Sequence, residues 1–479
     1  MTPKGTFRAT GVCAALFLGT AIAGGAITPA FAQDAAATQT ATPDAAALRT
    51  RGEALIYGLG DVAQDVPAGL SLLDQAASAG DIAAKAALGK ILLDGYYTQA
   101  DSAKGTRLLQ EAAADGNAAA QRNLGKALLW GTGLAADPTR AQTLLDQAAS
   151  AGDAEARRVL GEQLIGGWVL PADATAGQAL LEQSAAAGDT QAQVTLGALL
   201  LHGTGLPKDE SRALELFEQA AAAGDGAGLE RFGATLMWRQ RDPAAAEAYL
   251  RRAGELGRGT AWVTLAEGAM YGFLGEGSRQ KFDGFAQQAR AAGEGRIEVL
   301  EAQRRTWGIS MVASGPETLA GLERAAEAGN KDALLYLIGL VRNGNRYNIR
   351  KEPDRALAYL DRFANLLSAP EIERLRFSID AARVKTIPAY EVLAARLAAK
   401  PDLLAGGFGP ELAWANDNFA IYLLQTRLQA EGRYSGPING LATRATLRAL
   451  YDDCKPLMGP VRCGDDILKP EVLGRLLNR

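Results

Sequence analysis

His202 is the only histidine in 479 residues, and this restricts the chemistry open to the chain. A metal centre built on several imidazoles is excluded, and a hydrolytic triad would depend on this one ring. Paired carboxylates are abundant, but most sit where helix caps are expected, and none stands apart as an acid and base pair. The glycines follow a long period and form no phosphate-cradling loop. Cys454 and Cys463 lie nine residues apart near the C-terminus with no histidine beside them, half of a zinc ligand set. Trp130, Trp238, Tyr271 and Trp307 share with His202 one position, each directly before a glycine or, for Trp238, at the matching offset. A column of rings at that offset would bind sugar rings or an extended peptide, or would fill gaps between neighbouring helices.

The column exists because the chain repeats. Gly80, Gly116, Gly152, Gly188 and Gly224 recur at intervals of 36, Gly257 follows after 33, and Gly293 and Gly329 restore the interval. A period of this length marks units that bury their apolar faces only against neighbours. Asp81, Asn117, Asp153, Asp189 and Asp225 follow the marker glycines, so each Gly-Asx pair is predicted to end one helix and cap the next. Leu88-Gly89, Leu124-Gly125, Leu160-Gly161 and Leu196-Gly197 are packing pairs on the first helix. Gly95, Gly131, Gly167, Gly203, Gly272, Gly308 and Gly344 mark its end. Asp101, Asp137, Asp173 and Asp209, with Ser278 and Ser314 at the matching offset, are expected to cap the second helix. The predicted fold is all-α, a solenoid of helix-turn-helix units. In the unit after Gly293, Glu301 is expected at the glycine of the Leu-Gly pair.

The unit resembles the Sel1-like repeat, a relative of the tetratricopeptide repeat. The motif from Leu196-Gly197 through Gly203-Thr204-Gly205-Leu206-Pro207-Lys208-Asp209 to Ala213 carries the likeness. The resemblance implies a scaffold that binds proteins; no cofactor is expected.

The repeats are assigned to residues 51–365, the first unit being degenerate. Before them, Lys4 and Arg8 precede an apolar run ending in Ala30-Phe31-Ala32, the pattern of a cleaved secretory signal peptide over residues 1–32. Residues 33–50, rich in Ala, Thr and Gln, read as a flexible lead. Losing Lys4 and Arg8 takes the formal charge from −4 to −6. That balance excludes nucleic acid as a partner, and no membrane span is expected after cleavage. In an exported chain Cys454 and Cys463 read as a disulfide. Residues 366–400 are expected to form a helical cap and residues 401–410 a linker. Arg342, Arg346, Arg350 and Lys351 form a candidate anion-binding patch, with a solvated loop as the plainer reading.

Residues 411–479 change pattern. Leu424-Gln425, Leu428, Gly432, Tyr434, Gly436, Ile438, Gly440, Thr446 and Ala449 resemble the small three-helix peptidoglycan-binding domain, with Asn439 replacing the usual aspartate and Thr443 the usual glycine. The resemblance implies attachment to peptidoglycan. Together these features lead to an expectation of a periplasmic, non-enzymatic scaffold for envelope or secretion-machinery proteins, with peptidoglycan or another polysaccharide as a further ligand. The alternatives are a scaffold for exopolysaccharide assembly and secretion, and an envelope glycan hydrolase.

Overall fold

A computed structural model describes residues 44–239, 242–345, 347–455, 463–464 and 466–478. The leader, most of the lead and Arg346 lie outside them. Within the described residues all regular structure is helical. The chain divides into two compact units at Ala84 and Lys85.

In the first unit the helices Ala45–Tyr57 and Val66–Ser78 form a hairpin. The first helix starts inside the stretch expected to be a flexible lead, because Asp44 caps it by accepting from the Ala46 amide. Gly52 and Gly69 let the two backbones cross closely: a Cβ on Gly69 would lie 2.7 Å from the Gly52 carbonyl oxygen. Ile56 and Leu73 are fully buried beside this crossing.

The second unit is an α-solenoid of hairpins. Its punctuation follows from two residue types. Gly116, Gly152, Gly188 and Gly224 have φ between 78° and 95°, a region costly for residues bearing a Cβ. The following Asn117, Asp153, Asp189 and Asp225 accept from backbone amides two or three residues on, at 2.8 to 3.3 Å. Asp101, Asp137, Asp173 and Asp209 do the same for the second helices at 2.9 to 3.0 Å. Within each hairpin a small residue permits close approach: a Cβ on Gly161 would sit 2.9 Å from the Gly177 oxygen. Leu124, Leu160 and Leu196 fill the seam beside those glycines.

Three expectations need correction. Ser314 caps its helix through the Glu317 amide, but Ser278 does not. Ser278 opens a 3-10 turn, Ser278–Lys281, and its buried hydroxyl accepts from the Leu274 amide, so the α-helix there begins only at Phe282. Glu301 stands at the leucine, not the glycine, of the Leu-Gly pair. Helix Arg296–Trp307 begins one residue late but keeps its distance to Gly308, which puts buried Ala302 in the glycine position.

The third correction concerns residues 401–410. They are no linker: Pro401–Gly407 is a 3-10 helix that buries Leu403, and Phe408 packs edge-on against Phe377 of the cap at 6.2 Å. Gly409 crosses the backbone of Gly474 so closely that a Cβ would lie 2.3 Å from its oxygen. The cap itself consists of Ala369–Arg383, with a Ser368/Glu371 capping box, and Ile387–Ala398. Helices Phe408–Ala415, Asp417–Ala430, Arg444–Cys454 and Pro470–Leu477 follow and pack directly on it. Asn416 ties them together by donating to the carbonyls of Ala381 and Val384.

Candidate functional site

The ring positions lie at the C-terminal ends of the first helices of successive hairpins. Trp130, Trp238, Tyr271 and Trp307 are 43 to 54% exposed, and His202 is exposed as well. Each ring is therefore half embedded, with one face or edge open. Trp238 meets Phe273 edge-on at 5.3 Å, Phe273 lies 6.1 Å from Tyr271, and Trp307 meets Tyr347 edge-on at 5.3 Å. Gap filling alone would bury these rings; they are braced from one side and bare on the other.

Sequence reasoning missed one rung. The equivalent position in the hairpin after Gly152 is Gly166, which has no ring. A Cβ on Gly166 would lie 2.4 Å from the ring of Trp168, so the indole of Trp168 folds back over the glycine and occupies its place, 63% exposed. The aromatic residue two places after the gap was the available signal. With Trp168 included, six consecutive hairpins carry a ring at this edge: Trp130, Trp168, His202, Trp238, Tyr271 and Trp307. One turn before His202 and Trp238 the first helices carry small side chains, Ala198 and Ala234, both partly exposed.

The proposed cationic patch loses one member, Arg342. Arg342 is buried, with an ion pair to Glu411 at 2.7 Å and a hydrogen bond donated to Ser378 at 2.5 Å. Lys351 is turned towards the carbonyl of Ala415, and burial, helped by Lys385, lowers its ammonium below the usual lysine range. Arg350 and Lys351 are both exposed as whole residues, and Arg342 alone of the described members is buried. Arg342 and the Lys351 ammonium belong to the seam between the last repeat and the C-terminal helices.

The motif of the C-terminal helices does come together, around Gln425, which is 1% exposed. Its Oε1 accepts from the amides of Asn439 and Gly440 at 3.0 and 2.8 Å. Its Nε2 donates to the Leu441 carbonyl at 3.1 Å and to Thr446 Oγ1 at 2.9 Å. The Tyr434 hydroxyl donates to the Pro437 carbonyl and lies 3.2 Å from Thr446 Oγ1. Gly432 and Gly440 have φ of 69° and 75°, which lets the loop turn, and Gly436 lies against the Tyr434 ring. These residues hold the loop 432–446 in place and expose little of themselves. Beside them, buried Asp453 pairs with Arg433 at 2.5 Å and with Arg427. Cys454 and Cys463 are joined by a disulfide, their Cα atoms 5.8 Å apart. No group of three or more His, Cys, Asp or Glu suited to a metal ion occurs among the described residues.

A tandem array of capped helical hairpins with a ring at one edge defines a helical-repeat protein. Residues 46–81, 82–117, 118–153, 154–189, 190–225 and 232–257 match the family model of the Sel1 repeat. The matched residues make up less than half of the chain and include the hairpin that looked degenerate in sequence. Two solved structures are similar. One is c5321, a protective antigen of uropathogenic Escherichia coli strains displaying an SLR fold, at 20% identity over 74% of this chain and 87% of that one, TM-score 0.37. The other is a Sel1 repeat protein from Oxalobacter formigenes, at 22% identity over 44% of this chain and 88% of that one, TM-score 0.39. No curated protein matches the chain. Sel1-repeat proteins generally act as scaffolds for protein–protein interaction.

Proposed function

We propose that this chain is an exported periplasmic scaffold, without catalytic activity of its own, that holds an extended protein segment along the ring-bearing edge. The observation that carries the proposal is the unbroken series from Trp130 to Trp307, half exposed in six successive hairpins. An extended peptide laid across the first helices meets a ring on each successive hairpin. The signal-like leader and the Cys454–Cys463 disulfide support an oxidising compartment outside the cytoplasm. The C-terminal helices, with their peptidoglycan-binding-like motif around Gln425, attach the scaffold to the cell wall. A second reading, assembly and secretion of an exopolysaccharide, is favoured by the same exposed rings, which stack on sugars as readily as on prolines.

A photo-crosslinking residue placed at Ala198 or Ala234 in the producing cell tests the first reading. The expected result is a discrete protein adduct that disappears when Trp168 and Trp238 are changed to alanine. Adducts with polysaccharide alone would replace it by the second. Pelleting of the purified chain with intact sacculi tests the wall attachment, and its absence would remove that part of the proposal.

A further inference from the structure

One hairpin departs from the others at several core positions together. Counting from its marker glycine, Gly293, Glu301 and Arg305 take the places of Leu124 and Leu128, of Leu160 and Leu164, and of Leu196 and Leu200, all buried in their own hairpins. On the second helix Gly321 replaces a side chain that is Leu108, Leu144, Leu180, Leu216 or Phe285 elsewhere. On the preceding helix Arg290 stands where other hairpins have Ala113, Ala149, Ala185 and Ala221. These four residues line a cleft of about 710 Å³, within the range of small-ligand sites.

The polar groups in the cleft are ordered. Arg290 grips Glu298 through two hydrogen bonds, at 2.6 and 3.3 Å, and lies 3.8 Å from Glu301. Arg305 holds Glu301 at 3.3 Å and reaches the space vacated at Gly321, where a Cβ would meet its guanidinium at 3.5 Å. Thr318, Arg324, Asn330, Asp283 and Glu294 also line it. Asp283 is paired with Arg304 at 2.6 Å, which leaves the carboxylates of Glu294, Glu298 and Glu301 against the guanidinium groups of Arg290, Arg305 and Arg324. The cleft therefore offers a charged ligand no net opposite charge, and at Arg290 and Arg305 an anion would have to displace Glu298 or Glu301. A ligand that supplies donors and acceptors without net charge displaces neither. Vicinal hydroxyls have that chemistry, and a site of this size takes two or three sugar rings.

We infer that the cleft between helices Phe282–Ala291, Arg296–Trp307 and Gly315–Glu327 is a binding site for a short uncharged saccharide. It is separate from the ring-bearing edge, and variants at the two places report on the two readings independently.

The full chain is titrated with chitotriose, cellotriose and maltotriose by saturation-transfer NMR and calorimetry. Binding of at least one is expected, weakened roughly tenfold by Glu301→Leu/Arg305→Leu/Gly321→Leu, which refills the cleft. Exposed Arg324→Ala provides a second variant that keeps the core, expected to weaken binding about threefold. Trp168→Ala/Trp238→Ala should leave it unchanged. No transfer from any of the three sugars at about 10 mM, equal binding by the cleft variants, or preference for a hexaglutamate peptide would each overturn the assignment.

Discussion

Replacing Gln425 by leucine preserves most of its volume and removes every polar contact it makes. The amides of Asn439 and Gly440 would lose their acceptor inside the fold. Unsatisfied buried donors cost about 1 to 3 kcal/mol each, so Gln425→Leu should destabilise the chain by about 3 kcal/mol or more, read from the urea midpoint of the C-terminal helices. Glu371 gives a test in pH. Hydrogen bonding to Lys331, and to the amide and hydroxyl of Ser368 in the capping box, lowers its carboxyl from 4.5 to about 2. A depressed carboxyl contributes stability that is complete above its ordinary value and is lost as pH falls towards 2. The group is exposed, so the effect is small. Melting temperatures from pH 6 to pH 2 should fall less in Glu371→Gln than in the parent protein, and parallel curves would show that the capping box contributes nothing.

At the scale of the helix, Gly166 and Trp168 act as one element. Alanine at 166 suits the helix better by up to about 1 kcal/mol, yet its methyl group would displace the indole of Trp168. Gly166→Ala should therefore keep or raise the melting temperature while weakening capture along the edge as much as Trp168→Ala does, measured by crosslinking yield. The refilled hairpin, Glu301→Leu/Arg305→Leu/Gly321→Leu, should be more stable than the parent by several kcal/mol, since each restored leucine contributes about 1.5 to 3 kcal/mol of burial less what repacking costs. The hairpins were legible in the sequence because a Gly-Asx pair has a local physical cause, positive φ followed by a capping carboxylate. Ser278 misled because its hydroxyl turns back to Leu274, a tertiary choice that spacing does not reveal. The same limit hid Trp168: its fold-back over Gly166 depends on backbone direction, which a column aligned by offset ignores.

Over the length of the second unit, the decisive point is how the C-terminal helices are held. Glycine and proline around 401–410 suggested a linker, and the buried Phe408, the Gly409/Gly474 crossing and the Arg342–Glu411 pair show a packed junction. Composition alone could not distinguish them, because glycines that permit close packing look the same in sequence as glycines that permit motion. The difference is measurable as coupling. Arg342 is almost wholly buried and Glu411 about one-third exposed, so losing one partner should cost about 2 kcal/mol, below the range for fully buried pairs. In a cycle of Arg342→Met, Glu411→Gln and the double variant, the double should be markedly less destabilised than the sum of the singles, because each single change strands a charge or a donor that the other removes. A swinging domain would give additive effects and two separate unfolding transitions. A fixed one gives one transition for the last repeat, the cap and the C-terminal helices, so that whatever the C-terminal helices grip is set at a constant position relative to the last repeat.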